Sequence, residues 1–394
     1  MPKHRRSFLA AAGVTLGSLA GCLRLGGDET TTTTTQPPGG TTTTQPPGET
    51  TTSTTTTQPK HPGKWPQFQN DAGRTGYSPS TVGESANRAW RTSIDGTVER
   101  SPVVGEDAVY VTASGTVYSL DRATGKQRWQ AGGATGPPVV HGSQVLFSSG
   151  AAIEVVDAAS GKRQRRISLP ARAVTGPVVA GSDLYVGCTD ERVHAYTLDG
   201  KHQWQTVPLN TSQFEPLAVG DKRVFVASNL GLYAHDRAGG FRDWSATRNS
   251  VTDAPTVADG SVFFPTSGEF VARYSVDGKE QWRTPVSGLP RGSVAVGGGS
   301  VYAVAGNASL YRLNASGGGV VWRSRVPTAT DSSPALADNA VAVNDSGSVH
   351  TFVTEQGGTL WSADVTGVDD TSCAIVDGTV FAGGTGVVAA FAPE

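Results

Sequence analysis

A chain of 394 residues with 50 glycines and many threonine-rich loops is long enough for two average domains or one large repeat domain, and its turn content suits an all-β protein. The formal charge is −2, and −5 once residues 1–21 are removed (29 basic against 34 acidic), which excludes general nucleic-acid binding because that needs a basic footprint. No 3.6-residue periodicity persists after residue 20, so long amphipathic helices are excluded too.

Residues 1–22 read as a processing segment outside the fold. Arg5-Arg6 precedes Ser7-Phe8-Leu9 and a small-residue apolar run to Ala20, with no acid before Asp28. This resembles a twin-arginine export signal. His4 and Ala10 depart from its fullest form and leave the general secretory route open. Leu19-Ala20-Gly21-Cys22 resembles a lipobox, which implies a lipid on Cys22 as the new N-terminus. The apolar run is shorter than the roughly 20 residues of a spanning helix.

Residues 23–60 are a stalk with 17 Thr and two copies of TTTTQPPG, at 32–39 and 41–48. Such a segment has little to bury and is expected to stay disordered. At about 3.1 Å per residue it reaches roughly 100 Å. Dense Thr with Pro resembles an O-glycosylated stalk, with an undecorated spacer as the alternative. Signal and stalk resemble those of secreted lipoproteins of halophilic archaea, cells without an outer membrane. Residues 61–86 carry Trp65, Phe68 and Tyr77 without strand alternation. They are expected to pack on the following domain and latch its first strand; a ligand-stacking platform is the alternative.

Residues 87–394 repeat one plan eight times. The first apolar run of each unit begins at Pro102, Pro138, Pro177, Pro216, Pro255, Ser293, Pro334 and Cys373, at intervals of 36 to 41 residues. A period near 40 with several strands per unit means a propeller or a solenoid. Gly125, Gly200, Gly240, Gly278, Gly318 and Gly357 each stand four residues before a Trp: Trp129, Trp204, Trp244, Trp282, Trp322 and Trp361. The second unit has Gly161 but Arg165 in the Trp place, and the eighth unit's missing Trp is found at the front, as Trp90. The fold class is therefore an all-β, eight-bladed propeller of four-stranded blades, with a strand near Arg88–Ile94 completing the last blade and protecting its edge. In the first unit the strands are expected at Pro102–Val104, Ala108–Ala113, Thr116–Asp121 and Gln127–Gln130. Asp199-Gly200 and Asp277-Gly278 fit two-residue hairpin turns.

The segment Asp121-Arg122-Ala123-Thr124-Gly125-Lys126-Gln127-Arg128-Trp129 resembles the tryptophan-docking repeat of quinoprotein-type propellers. Trp65–Asp71 with Arg74–Pro79 resembles the segment that precedes the propeller in that family. The family includes pyrroloquinoline-quinone (PQQ) dehydrogenases and the propeller lipoprotein of the bacterial outer-membrane assembly machinery. The resemblance covers Trp65 to Glu394 and implies the fold; function does not follow from it. PQQ needs a stacked pocket, a Ca²⁺ ion and a catalytic acid, and its enzymes often carry an adjacent Cys pair, which this chain lacks. Neither PQQ nor Ca²⁺ is expected.

Cys188 and Cys373 fall in blades that are not neighbours, so no disulfide is expected and both read as small buried hydrophobes. His194 and His350 take the repeat position of Tyr118, Tyr233 and Tyr311, and His235 that of Leu120 and Leu313, so satisfied core histidines are expected and no metal site. No H-x-x-x-H, C-x-x-C, G-x-S-x-G or P-loop spacing occurs. Asn210, Asn307, Asn314 and Asn344 begin N-x-S sequons at expected loops. Glu99, Arg100, Arg172, Glu215, Asp253, Arg291, Asp331 and Asp370 lie between a Trp strand and the next innermost strand, so propeller topology sets them on one mouth of the channel. They are a recognition funnel or an ordinary solvated loop face. The expected protein is a lipid-anchored extracytoplasmic propeller with a monomeric head that binds or scaffolds a protein or cell-surface polymer. The alternatives are a PQQ-dependent oxidoreductase and a carbohydrate- or polymer-binding head.

Overall fold

The computed structural model describes residues 63–247, 249–368 and 371–394. The signal with Arg5, Arg6 and Cys22, the stalk, and Asp370 lie outside the described residues. Within them, 31 strands form eight sheets. Seven sheets hold four strands each in chain order, spanning 103–132, 135–168, 178–205, 218–246, 256–285, 290–325 and 335–364; these are blades 1 to 7. In blade 1 the strands are Val103–Val104, Ala108–Ala113, Thr116–Asp121 and Gln127–Gly132, paired antiparallel. The second and third strands are apolar on both faces because each blade is covered by a blade on either side.

Blade 8 closes the ring. Its first strand is Ala374–Val376, and the long strand Thr379–Pro393 takes the second and third places. The fourth place is filled by Ala86–Thr97, which pairs antiparallel with it through Trp90↔Ala390 and Ser93↔Val387. The closing strand is longer than the sequence suggests. The first strand of every blade touches the first strands of both neighbours, blade 8 to blade 1 included, so no blade edge is left at a seam. Among the described residues, no helix is long and apolar enough to cross a membrane.

The tryptophans and glycines of the repeat meet between blades. A Cβ on Gly125 would stand 2.6 Å from the Trp90 ring, and one on Gly240 2.4 Å from that of Trp204. Gly161, Gly278, Gly318 and Gly357 meet Trp129, Trp244, Trp282 and Trp322 in the same way. The indole N–H then donates to a carbonyl of the same turn: Trp90 to Arg122, Trp129 to Ala158, Trp204 to Arg237, all at 2.9 Å. Gly200 faces Ile167 instead, because Arg165 replaces the tryptophan of blade 2. Trp361 faces blade 8, which has no turn between its third and fourth strands; its Nε1 has no acceptor and its ring packs on Phe391 at 5.9 Å.

Two expectations need correction. Gly200 and Gly278 do take positive φ (97° and 89°), but the strands around them end at Thr197 and Ser275 and resume at His202 and Glu280, so these are not two-residue turns. Asn344 is not in a loop: it lies inside the strand Ala340–Asp345, fully buried, where it accepts the Cys373 thiol at 2.7 Å and is closed to glycosylation. Asn314 ends a strand and its side chain caps the following turn, while Asn210 and Asn307 are exposed in loops.

Candidate functional site

The channel at the centre of the ring is bounded by the eight innermost strands. Residues 64–78 run beneath it and bond to the far end of seven of them. Trp65 exchanges two backbone bonds of 2.8 Å with Val104 of blade 1. The amides of Val140, Val219, Val257, Val296 and Leu336 donate to the carbonyls of Pro66, Ala72, Gly73, Thr75 and Gly76, and the Gln67 side chain brackets Val179 of blade 3. A segment without strand alternation can do this because Gln69, Asn70, Arg74 and Gly76 take positive φ and turn it in place. The expected latch on one strand is thus a floor under seven blades. Trp65 and Phe68 are fully buried in it. Arg74 is also buried: Nε donates to Leu217 O at 2.9 Å and Nη1 to Phe68 O at 2.6 Å. Burial pulls its pKa down to about 9, with Asp71 and Asp253 opposing and Arg100 adding to the shift.

The segments that precede the innermost strands lie at the other end of the same strands, hence at the opposite mouth. Arg100, in the left-handed region at φ 78°, reaches across the channel from blade 1. Its Nη1 binds both oxygens of Asp253 at 2.7 and 2.9 Å, and its Nη2 binds Glu215 at 2.9 Å. This bidentate, charge-assisted clamp joins blade 1 to the entries of blades 4 and 5. Burial opposes the charge of Arg100, but the two carboxylates outweigh it and hold its pKa above the usual arginine value. Burial and then Asp253 raise Glu215, against the pull of Arg100.

A hydrogen-bonded circuit continues from the clamp along the ring. Ser293 Oγ donates to Asp253 at 2.9 Å, Ser293 N to Ser333 Oγ, Ser333 N to Ser372 Oγ, and Ser372 N to Arg100 O at 2.7 Å. Sequence inspection missed these serines. Their signal was positional: Ser333 and Ser372 stand directly before Pro334 and Cys373, where units 4 and 1 have Glu215 and Ser101 before Pro216 and Pro102.

Of the eight funnel candidates, Arg100, Glu215 and Asp253 therefore converge on the axis. Arg291 and Asp331 pair with each other, both well exposed at the rim. Glu99 does not enter the channel; its carboxylate accepts Gly115 N at 3.1 Å and Gly136 N at 3.2 Å, tying blade 1 to blade 2. Arg172 is exposed beside blade 3, and Asp370 lies outside the described residues. The histidine column is uneven. His350 bonds Ser362 at 2.9 Å and faces Asp345, whereas His194 bonds Asp190 through Nε2 and leaves Nδ1 without a partner in a fully buried ring. His235 likewise has one bonded nitrogen and one orphan, and His350 Nε2, 3.1 Å from Asp345, makes no hydrogen bond, so none of the three is the fully satisfied core histidine expected. Both Cys188 and Cys373 are free and buried.

The fit of a quinone and its calcium can be read from these contacts. Hard-cation sites want about six to eight oxygens. Here Glu215 Oε2 and both Asp253 oxygens are engaged by Arg100, with Ser293 and the Ala254 amide also on Asp253. An aromatic platform is also absent among the described residues of the axis. The blade tryptophans are docked between blades, Trp65 is in the floor, and the Phe68 ring has the Arg74 and Arg100 guanidinium groups at 5.5 and 5.6 Å from its centroid. The described residues do not fit the pair.

Eight four-stranded blades, a strand-exchanged closure and interblade tryptophan docking define a closed eight-bladed propeller of the tryptophan-docking class. The chain belongs to the family described as outer membrane protein assembly factor BamB, which matches it at residues 83–146, 131–206, 189–290 and 267–394. Its fold is similar to that of BamB from Moraxella catarrhalis (TM-score 0.64, 15% identity, 78% of this chain and 100% of that one). It is also similar to quinohemoprotein alcohol dehydrogenase from Comamonas testosteroni (TM-score 0.68, 14% identity, 84% and 82%). In sequence it is 27% identical over 237 residues to tetrathionate hydrolase of Acidithiobacillus ferrooxidans, covering 58% of this chain and 45% of that protein. The chain spans less than half the length of the curated relatives it matches. An assembly factor and a dehydrogenase thus share one architecture, and the side chains on the axis must decide between them.

Proposed function

We propose that this chain is a lipid-anchored, extracytoplasmic binding or scaffolding protein whose partner is a protein, and that it is not a quinoprotein oxidoreductase. One observation carries the proposal: the channel axis is spanned by the chain's own Arg100–Glu215–Asp253 clamp over the Phe68 floor. Binding then falls to the surface around the mouth, where Arg172 and the Arg291–Asp331 pair offer mixed charge. The family's description as an assembly factor agrees with a protein partner. The anchor is Cys22, and the Thr-rich stalk at 23–60 holds the head away from the membrane. Two lipid chains give stable anchoring at about 0.8 kcal/mol per buried CH₂.

A photo-crosslinking residue in place of Arg172, on the clamp mouth, is expected to give a discrete protein adduct in intact cells. The same residue in place of His141, exposed on the floor side of blade 2, is expected to give none. Equal labelling from both faces, or no adduct from either, overturns the reading of the mouth as the binding face. Cys22→Ser is expected to move the protein from the membrane fraction to the medium; retention in the membrane overturns the anchor.

A further inference from the structure

Blade 3 departs from the repeat at one place away from the axis. The turn between its second and third strands runs from Gly187 to Val193 with five residues between the last ladder pair, where blades 1, 4 and 7 have two. The extra length, with Glu191 at φ 63°, folds Cys188 and Asp190 back against His194 on the third strand. One ligand atom from each of the three lies within 4.8 Å of the other two. Cys188 and His194 are fully buried, and Asp190 is partly open to solvent. Within this group His194 Nδ1 and Asp190 Oδ1 are buried and have no hydrogen-bond partner. Two buried polar atoms left without partners in one cluster are costly unless something binds there. The nearest cation, Arg192, is turned away to Thr206 O at 2.7 Å, and the exposed ring of His202 stands 5.8 Å from that of His194.

We propose that Cys188, Asp190 and His194 form a site for a borderline-soft divalent cation of the zinc(II) type. Thiolate, imidazole and carboxylate together select such a cation over calcium or magnesium, which take oxygen ligands. Bond lengths of about 2.0–2.3 Å set tetrahedral ligand spacings of roughly 3.3–3.8 Å; the three ligand atoms lie within 4.8 Å of one another, so binding needs only small shifts, with the 2.9 Å His194–Asp190 hydrogen bond giving way to the cation. The fourth position faces solvent on the Asp190 side and is open to water or to His202. A cation here pins the longest of these turns to its blade, a task the two-residue turns do not need. The site is separate from the clamp on the axis, and its fate does not depend on the proposed function.

The test uses the full chain stripped with a chelator. Cobalt(II) is added as a spectroscopic probe and zinc(II) is titrated against a chromophoric chelator. One cation per chain is expected, with a thiolate-to-cobalt charge-transfer band in the wild type. Cys188→Ser should lose the band, and Asp190→Asn, at a partly exposed position, should keep the fold and weaken zinc binding about 10-fold or more. Zinc should raise the melting temperature of the wild type and leave that of Cys188→Ser unchanged. No band in the wild type at saturating cobalt overturns the proposal, and so does a band undiminished in Cys188→Ser. If Cys188→Ser fails to fold, the wild-type band together with the Asp190→Asn affinity decides.

Discussion

Between the blades one side-chain contact is made six times; the charged clamp on the axis is made once. Trp90, Trp129, Trp204, Trp244, Trp282 and Trp322 each rest on a positive-φ glycine of the next blade. The axis is held instead by single copies: Phe68, Arg74, and the clamp of Arg100 with Glu215 and Asp253. The belt is therefore redundant and tolerates local loss, because neighbouring docks still hold the ring. The axis has no second copy to fall back on. Repetition builds the ring, and the departures from repetition mark where its blades differ from one another.

The strongest way to break the comparison is to open the ring itself. Deleting residues 86–97 removes the fourth strand of blade 8 and bares the edge of Thr379–Pro393. Aggregation or loss of a single cooperative unfolding transition is expected; a deletion that melts like the parent would mean that closure is not by this strand. Next comes the floor. Phe68→Ala empties a fully buried site against both guanidinium groups, and denaturant titration should find about 3–5 kcal/mol lost. A loss below about 1 kcal/mol would put the axis on the same footing as an exposed loop.

The belt can be sharpened within itself. Trp204→Phe gives up an indole bond of 2.9 Å to Arg237 O, worth about 0.5–1.5 kcal/mol, whereas Trp361→Phe gives up none. Chemical denaturation should therefore rank Trp204→Phe as the costlier change, and equal costs would remove the distinction drawn at blade 8. The smallest effect is in pH. Burial lowers the His235 pKa below its usual 6.5, so the unfolded chain takes up a proton first on acidification and stability falls as pH drops from 6.5 towards the folded value. His235→Leu, the residue type at that position in blades 1 and 6, should flatten this slope by up to about 1.4 kcal/mol per pH unit. An unchanged slope would assign it to another group.

The belt was legible in the sequence because a repeated contact leaves a repeated residue. Gly-x-x-x-Trp set the blade count, the closing strand and the irregular dock at Arg165, but not the missing turn opposite Trp361. Ala108–Ala113 and Thr116–Asp121 were placed to the residue. The axis was half legible. Topology put Arg100, Glu215 and Asp253 on one mouth, but only a three-dimensional structure tells that Arg100 spans to both acids while Glu99, next in sequence, turns back to two backbone amides. The floor was not legible as a floor, because its bonds to six of the seven blades are made by backbone groups, which carry no residue code; only blade 3 is met by a side chain, that of Gln67. Asn344 misled for a related reason: a three-residue sequon says nothing of burial.

Under the proposed function, the chain's own side chains occupy the axis and no quinone binds there. Isothermal titration of the full chain with PQQ in the presence of Ca²⁺, followed by a dye-linked assay over alcohols and sugars, tests it most directly. The account predicts no saturable heat and no dye reduction, in the wild type and equally in Arg100→Leu, where the clamp is cut but no platform is gained. Saturable micromolar quinone binding with dye reduction by the wild type would contradict it and make the chain an oxidoreductase.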